Sequence, residues 1–404
     1  MTSPPLVGTA IPAEWTFWAD QSQTPPGLPL GPRDPLGPVQ VTGFTCSWAL
    51  SGYGAAEAIV PIEQAGLTRA ELLRFWGWRL WAFYDGRPVW AGCPVGLDDD
   101  GGTAVGMAFT ELPGYLGKRQ QTARVNYGPP VYPNGVEQTV IAGDLAALVS
   151  QVGVRVVTDP GPGVLRVRFY DYLEGGSLGA LLVNLCEVIQ GPEFRAEYTM
   201  EGGRPVCTLR IAYPRAGGAT GLGIVVPAGA ASFRNTWSAA QQRTRTFAVG
   251  ELPEGAPADA KAPVEIVDRP QEGLPRLDEV DDWPGTVLPS TLRERALASA
   301  TTYAGPALAL ETRMPVAAPA LGTYGVGDDV AVNLVSPFMP AGLSAVGRLA
   351  KIDADAGAGT AAWTVTIVDP PPRPAATLTA RLDRLDATTT GMFRTNLQAT
   401  AEET

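Results

Sequence analysis

Apolar and polar residues alternate in short runs along the first third of the chain. Runs with this two-residue period predict strands at residues 39–50, 57–62, 79–84, 88–97 and 103–110. The turn residues Asp85-Gly86 and the segment 98–102 separate the last three runs, as they do in β-hairpins. This third of the chain therefore predicts a small antiparallel barrel or sheet.

The apolar period lengthens to that of a helix at two places in the middle of the chain. One helix is predicted at residues 136–150, with an apolar stripe of Val136, Val140, Ile141, Leu145, Leu148 and Val149. A second is predicted at residues 178–189, where the stripe contains Leu178, Leu181, Leu182, Leu185, Val188 and Ile189. Strands are predicted at residues 165–170, 194–200 and 206–213. The middle block is therefore a mixed α/β unit.

Short strands return in the last part of the chain. A pair around a polar turn at 238–242 is predicted within residues 231–249, and further strands are predicted at 264–267, 316–318, 330–334, 346–354 and 361–368. Short helices are predicted at residues 68–74 and 291–300, because Thr68–Glu71 and Thr291–Glu294 have the spacing of a capping box. The fold class is thus α+β and mostly β, with two strand-rich blocks separated by an α/β block.

The composition agrees with short strands and many turns, since the 404 residues include 47 glycines and 38 prolines. This length predicts about two to four domains. Residues 1–38 form a predicted Pro/Gly-rich arm, and we expect its Trp15, Phe17 and Trp18 to pack on a neighbour or on this chain's own barrel. Residues 371–404 contain few core-forming residues and form a predicted tail, which is either disordered or captured by another subunit.

The net charge of -11 excludes a general attraction to DNA or to anionic membranes. It agrees with simple solubility, and also with an acidic surface that repels passing DNA. If the chain lines a path for DNA, Asp98, Asp99 and Asp100 are candidates for an acidic rim of that path. The first residues lack the features of a signal peptide and no apolar run reaches membrane length, so we expect synthesis in a cytoplasm and no membrane span.

The chain contains no histidine, which excludes a Ser-His-Asp triad, a Cys-His pair and a histidine-containing zinc site within it. Residues 175–179 nevertheless fit the G-x-S-x-G pattern of a hydrolase nucleophile. Without a base, Ser177 is better interpreted as the N-cap of the following helix. We therefore expect no catalytic residues, no cofactor-binding residues and no metal site, and we expect that the chain is not an enzyme.

Two acidic clusters and several glutamates are candidate sites in the sequence. Asp98, Asp99 and Asp100 could hold calcium, but consecutive carboxylates favour a solvated hairpin tip. The same interpretation applies to Asp278, Glu279, Asp281 and Asp282. A glycosidase would need a carboxylate pair, and none stands out among the glutamates, which are compatible with ordinary surfaces: Glu57, Glu63, Glu71, Glu187 and Glu193.

Arg243 and Arg245 place two cations on one face of a predicted strand. That face is either a salt-bridging assembly surface or a solvated sheet face, and the sequence favours neither. The glycine-rich segment 217–223 lacks the spacing of a phosphate-binding loop and predicts a flexible loop.

The four cysteines are Cys46, Cys93, Cys186 and Cys207, and none lies in a CxxC pair. Buried free thiols are the expected state. A Cys46–Cys93 or a Cys186–Cys207 bridge remains an alternative.

Several phrases occur in an order that resembles a known family. They are YDGRPVWAG at 84–92, ELPGYLGKR at 111–119, TVIAGDLAALV at 139–149, GPEFRAEY at 191–198, RTRTFAVGE at 243–251, LDEVDDWPGTVLPSTLRERA at 277–296 and YGVGDDVAVNL at 324–334. Together they resemble the hub, or minor tail, proteins of long-tailed, siphovirus-type phages, especially those that infect actinobacteria. These proteins are in turn similar to the baseplate hubs of contractile tails.

The resemblance implies two small antiparallel, tail-tube-like β-barrel domains separated by a mixed α/β domain. The expected division is the arm at 1–38, a first barrel at 39–120, a middle domain at 121–215, a second barrel at 216–370 and the tail at 371–404. The second barrel would carry an acidic insertion and a connecting helix at about 251–310.

The resemblance also implies a structural virion protein of the tail tip. A homotrimer would match the sixfold tail tube to threefold tip proteins and let DNA pass without binding it specifically. Its expected partners are the distal tail protein ring, the tape measure protein and tail fibre or tip proteins. The alternatives are a cell-wall-degrading tail-tip protein and a receptor-binding protein that uses exposed Trp and Tyr residues such as Trp15 and Trp18.

Overall fold

A computed structural model describes residues 14–21, 35–63, 66–159, 161, 164–171, 176–187, 191–226, 232–239, 242–250, 261–282, 289–304, 307–317 and 320–367. Strands make up 52% and helices 16% of the structure, so the mostly β prediction is confirmed. No closed barrel is found among the described strands. The two-barrel arrangement therefore stays a prediction. Most of the arm, residues 251–260 of the predicted acidic insertion and the tail at 371–404 lie outside the described residues.

The first part of the chain forms seven strands. They are β1 Trp15–Gln21, β2 Pro35–Pro38, β3 Gly43–Ala49, β4 Ala55–Pro61, β5 Trp78–Tyr84, β6 Arg87–Asp98 and β7 Ala104–Glu111. The short helix α1 spans Arg69–Leu72, and its predicted capping box is confirmed. The Thr68 hydroxyl accepts the N–H of Glu71 at 3.2 Å, and the Glu71 carboxylate accepts the N–H of Thr68 at 2.7 Å.

The aromatic residues of the arm pack on this chain's own sheet. Strand β1 pairs antiparallel with β5, which buries Trp15 and Phe17 against Phe44. Trp18 points the other way and is 44% exposed. The expectation is confirmed for Trp15 and Phe17.

The middle of the chain forms helices and shorter strands. They are a 3₁₀ helix at Leu112–Lys118, β8 Val125–Asn126, β9 Val136–Glu137, α2 Gln138–Ala146, a 3₁₀ helix at Ala147–Val152, β10 Val154–Thr158, β11 Leu165–Arg166, β12 Phe169–Tyr170, α3 Leu178–Glu187, β13 Glu193–Glu201 and β14 Arg204–Ala212. Strands β10, β14 and β13 form a sheet in that order. Because Val136 pairs with Arg166 in a strand, α2 starts later than predicted. Ile141, Leu145 and Val149 face the core, but Val140 is 48% exposed, so its place on the buried stripe was wrong.

The last part of the chain contains one helix and nine strands among the described residues. They are β15 Ala219–Val226, β16 Ser232–Ser238, β17 Arg245–Val249, β18 Val264–Asp268, β19 Asp278–Asp282, α4 Pro289–Thr302, β20 Ala307–Pro315, β21 Asp329–Ser336, β22 Met339–Asp355 and β23 Thr360–Ile367. The predicted pairing within 231–249 is wrong, because β16 and β17 belong to different sheets. The predicted capping box at Thr291 is also wrong, since α4 already begins at Pro289, a residue suited to a first helical turn.

The glycine-rich segment 217–223 is more regular than predicted. Its residues from Ala219 onward belong to β15, which pairs in parallel with β21. Gly217 lets two backbones approach closely, since a Cβ atom there would lie 2.3 Å from the carbonyl carbon and oxygen of Gly327. The flexible-loop prediction is therefore wrong for residues 219–223.

One large sheet joins strands from both ends of the chain. Its main path runs β16-β20-β23-β22-β3-β4-β7-β6-β5-β1-β2, with β21 and β15 added beside β22. The junction is the antiparallel pairing of β22 with β3, in which Lys351 lies opposite Ala49. Strands predicted for the first and the second barrel domain thus share a single sheet. The five-part division of the chain remains a prediction.

The chain divides into two compact units. The first contains residues up to 234 and residues 311–366, and the second contains residues 235–310. In the second unit, β18, β17 and β19 form a sheet in that order, and α4 packs on it through Leu292 and Ala296.

Arg243 is buried in the second unit. Its guanidinium binds both carboxylate oxygens of Asp281 at 2.8 Å and lies 4.3 Å from the ring centroid of Tyr303. Both interpretations offered for Arg243, an assembly surface and a solvated face, are therefore wrong. Asp281 is correspondingly not part of a solvated cluster, because it also accepts a hydrogen bond from the Ser299 hydroxyl at 2.5 Å.

All four cysteines are buried and free, so the expectation of free thiols is confirmed and neither alternative bridge is formed. Burial raises the pKa of each of these thiols, which keeps them protonated at neutral pH. No helix within the described ranges is long and apolar enough to cross a membrane.

Candidate functional site

The serine of the hydrolase-like pattern has a structural role. The Ser177 Oγ accepts the N–H of Ala180 at 3.2 Å, and the Ser177 carbonyl accepts the N–H of Leu181. Both bonds satisfy N–H groups in the first turn of α3. The helix-cap interpretation is confirmed, while Gly175 of the pattern lies outside the described residues.

The carboxylates at 98–100 form a hairpin tip, as predicted. Asp99 accepts the N–H of Gly101 at 2.9 Å, and Asp100 accepts the N–H of Gly102 at 3.0 Å, while all three aspartates are exposed. Within the part of the chain that the structure describes, no group of three or more Cys, Asp or Glu residues could hold a metal ion.

The glutamates considered for a glycosidase pair have separate environments. Glu71 completes the cap of α1, whereas Glu63 and Glu187 are exposed. Glu193 is only 1% exposed and binds Arg348, so the expectation of an ordinary surface was wrong for this residue. Glu57 is exposed on a polar surface of the main sheet.

We call this surface the open face. It consists of the outward-pointing residues of six neighbouring strands, β23, β22, β3, β4, β7 and β6. One row crosses all six, because pairing aligns its members side by side: Thr360, Asp355, Thr45, Glu57, Ala108 and Gly96. Three further rows of neighbouring positions belong to the same face. The first contains Ala362, Asp353, Ser47, Ala55 and Thr110, the second contains Thr364, Lys351 and Ala49, and the third contains Ile59, Gly106 and Asp98.

The two sides of these strands have opposite chemistry. The inner side is apolar and buried, with Phe44, Phe109 and Trp363 each at most 2% exposed. The open face instead carries small side chains, hydroxyls and carboxylates. Its only large apolar residue in the described register is the half-buried Ile59. Alternation of this kind is typical of a sheet that faces a core on one side and water on the other.

The charge of the open face is mainly negative. It contains four carboxylates, of Glu57, Asp98, Asp353 and Asp355, against the single ammonium of Lys351, which lies 3.2 Å from Asp353. A depression of about 370 Å³ lies over it, and its lining includes Thr45, Glu57, Asp355 and Arg313. The open face lacks the aromatic anchors of a tight protein interface and would repel a polyanion.

A buried carboxyl group lies where the open-face strands meet the middle of the chain. Glu111, at the end of β7, accepts the N–H of Gly54 at 2.8 Å and the hydroxyl of Tyr198 at 2.7 Å. Burial raises the pKa of Glu111 to about 7, although both hydrogen bonds act in the opposite direction. Sequence reasoning missed Glu111 because its burial depends on the contact of β7 with β13.

A second buried network joins β13 to the end of the sheet. Arg348 binds Glu193 at 2.5 Å, and Arg195 binds Asp328 at 2.7 Å. Residues from three separated parts of the chain thus hold the middle strands against β22. These contacts make the first unit a single packed body.

Comparison with solved structures finds phage tail proteins of the same fold, among them the following three. The 43 kDa tail protein of prophage MuSo2 from Shewanella oneidensis has a TM-score of 0.58 and 12% identity, over 90% of this chain and 99% of that one. The tail protein from Neisseria meningitidis MC58 has a TM-score of 0.55 and 14% identity, over 90% of this chain and 99% of that one. Prophage tail protein gp18 from Listeria monocytogenes EGD-e has a TM-score of 0.53 and 10% identity, over 92% of this chain and 99% of that one.

The chain has the fold of these phage tail proteins. Almost the full length of both chains takes part in each comparison, so the likeness includes the sheet as well as the middle block. At these identities, fold is all that the comparison shows. No protein-family model and no curated protein matches the sequence.

Proposed function

We propose that the chain is a structural hub subunit of a phage tail tip, whose trimer forms a ring between the sixfold tail tube and threefold tip proteins. The full-length fold likeness to phage tail proteins carries this proposal. The ordered phrases of the sequence support the narrower assignment to long-tailed phages of actinobacteria. A ring of three chains would satisfy both symmetries if each chain supplied two similar sheet blocks, the predicted barrels of residues 39–120 and 216–370.

In this proposal the open face lines the passage for DNA. Its four carboxylates repel phosphates and outnumber the two cations at this surface, Lys351, which pairs with Asp353, and Arg313. Asp98, which ends β6 on the same face, would lie at the rim. DNA would be in transit only, without sequence-specific contacts.

The proposed role is non-enzymatic and belongs to the virion. Ser177 caps a helix and so does not support the hydrolase alternative. Of the two tryptophans named for receptor binding, Trp15 is buried in the sheet and Trp18 is 44% exposed, so only Trp18 remains available for that alternative. The distal tail protein ring, the tape measure protein and the fibre or tip proteins would be the neighbours of the ring.

Imaging of assembled tails tests the proposed symmetry. We expect a threefold ring at the tail tip in which each chain supplies two sheet blocks and turns its open face toward the axis. A protein that is monomeric and absent from virions would contradict the proposal. So would a sixfold ring with one sheet block from each chain.

Reversing the charge of the open face should slow DNA release. In phages with the double substitution Glu57→Lys and Asp355→Lys, we expect normal tail assembly and release at least severalfold slower, because lysines would hold passing phosphates. Release is measured as the rate at which packaged DNA becomes sensitive to nuclease after triggering. Glu63→Lys, at an exposed turn beyond β4, is the control and should release at the normal rate. Equal slowing in both phages would argue against a lining role.

A further inference from the structure

The second unit has a sheet side that differs from the open face in chemistry. Helix α4 covers one side of the sheet, where Ala248, Leu292 and Ala296 are buried. We call the opposite side the outer face; it carries apolar side chains from all three strands: Phe247, Val249, Val264, Ile266 and Val280.

Strand register makes these side chains contiguous. Phe247, in the central strand, lies opposite Ile266 of β18 on one side and opposite Val280 of β19 on the other. Val249 lies opposite Val264. Val264, Ile266 and Val280 are 48%, 43% and 58% exposed, so the row is presented to solvent.

A sheet side that remains in water normally carries polar residues at its outward positions, as the open face does. Five apolar residues at these positions instead mark a surface that is covered when the protein works. We propose that the outer face binds a partner protein that presents apolar side chains flanked by lysine or arginine. This docking surface goes beyond the proposed hub function and does not depend on the ring.

The charges around the outer face indicate a basic partner rather than a second copy. At one end of the face Asp268 pairs with Arg245 at 3.0 Å and Asp278 pairs with Arg276 at 2.7 Å, and the exposed Asp282 lies at the other end. Residues 235–310 contain eleven acidic and seven basic residues. Two copies in contact through this face would bring together two units that each have this excess of four acidic residues, whereas a partner with Lys or Arg beside an apolar segment would complement both the apolar row and the acidic excess.

Peptide binding to the purified full-length chain tests the inference. The probe is a short fluorescent peptide of alternating valine and lysine, and a matched peptide has glutamate in place of lysine. We expect saturable binding of the lysine peptide, seen as fluorescence anisotropy, and no binding of the glutamate peptide. In the double variant Ile266→Ser and Val280→Ser, affinity should fall about tenfold or more.

The control variant combines Val225→Ser and Val346→Ser, which remove two comparably exposed valines from the first unit, at 49% and 66% exposure. It should bind like the unmodified chain, and circular dichroism should show both variants folded. Equal binding by the outer-face variant, or equal binding of the glutamate peptide, would overturn the inference. Loss of self-association in the outer-face variant, measured by sedimentation, would assign the face to a second copy and would also overturn it. None of these readouts requires an assembled tail, so a negative result here leaves the hub proposal to its own test.

Discussion

Replacing Arg348 with alanine should lower the free energy of unfolding by about 3–5 kcal/mol. The guanidinium of Arg348 binds the Glu193 carboxylate at 2.5 Å and donates a hydrogen bond to the Gly327 carbonyl at 3.0 Å. Glu193 is 1% exposed, and burial raises the pKa of Glu193 even though Arg348 opposes that effect. Without the cation, a buried carboxylate would remain with only the N–H of Ala216, at 2.9 Å, as its partner.

Urea unfolding at neutral pH measures this loss. The double variant Arg348→Met with Glu193→Gln should be much less destabilised, because it removes both charges and keeps most of the volume. Arg155→Ala is the exposed control: it breaks the pair with Glu201, whose side chains are 51% and 48% exposed, and should cost under about 1 kcal/mol. If Arg348→Ala lowered the free energy of unfolding as little as Arg155→Ala does, the buried pair would not anchor β13 to β22.

Replacing Glu111 with glutamine should flatten the pH dependence of stability. The Glu111 carboxyl has a pKa of about 7 in the fold and 4.5 as its ordinary value. The folded chain therefore keeps a proton that the unfolded chain has lost, and this contribution to stability is complete below about pH 4.5. It is lost as pH rises from there to about 7. The loss amounts to about 3 kcal/mol, since each unit of pKa difference corresponds to about 1.4 kcal/mol.

Glutamine avoids that loss because it carries no charge at any pH. Its carbonyl oxygen can accept the N–H of Gly54, and its amide can donate to the Tyr198 hydroxyl, so both hydrogen bonds have a counterpart. Unfolding midpoints between about pH 4.5 and 8 should converge with those of the unmodified chain at the acidic end and exceed them at the alkaline end. Glu57→Gln, on the open face, is the matched control and should leave the profile unchanged. Parallel pH profiles for the unmodified chain and Glu111→Gln would show that the folded chain does not hold a proton on Glu111 that the unfolded chain has lost.

Local signals in the sequence predicted local structure well. The Thr68–Glu71 capping box forms within four consecutive residues, so its spacing contains all the information that the cap requires. The Asp85-Gly86 turn has positive φ angles of 48° and 71° at its two residues, which is the conformation that this dipeptide favours. Elements whose contacts lie within a few residues were therefore predicted correctly.

Elements whose partners are distant in sequence were predicted poorly. Strands β16 and β17 are neighbours along the chain, which suggested a hairpin, but each finds its partners elsewhere. Arg243 was expected on a sheet surface because it shares one face of a predicted strand with Arg245. Its burial is explained by its contacts with Asp281 and Tyr303, which are distant in sequence. Pairwise preferences across such distances have no signature in a single sequence.

The open face lies between these two cases. Alternation of Phe44, Cys46 and Trp48 with Thr45, Ser47 and Ala49 is visible in the sequence of β3 and predicts one apolar and one polar side. That β22 and β23 extend the polar side, and bring Asp353 and Asp355 beside Thr45, follows only from the sheet order. Glu111 was missed, and Glu193 was wrongly assigned to an ordinary surface, for the same reason: burial of a carboxyl group depends on the contacts around it.

The pairing of β3 with β22 also determines when the main sheet can be completed during translation. The two strands are about 300 residues apart in the chain, and a ribosome that adds about 5–20 residues per second needs on the order of 15–60 s to cover that distance. During this interval the edge of β3 that later pairs with β22 has unpaired backbone N–H and C=O groups, which can pair with a wrong strand. A nascent chain that stops before residue 339 never makes β22 or β23, so only chains translated at least to the end of β23 at Ile367 can finish the sheet.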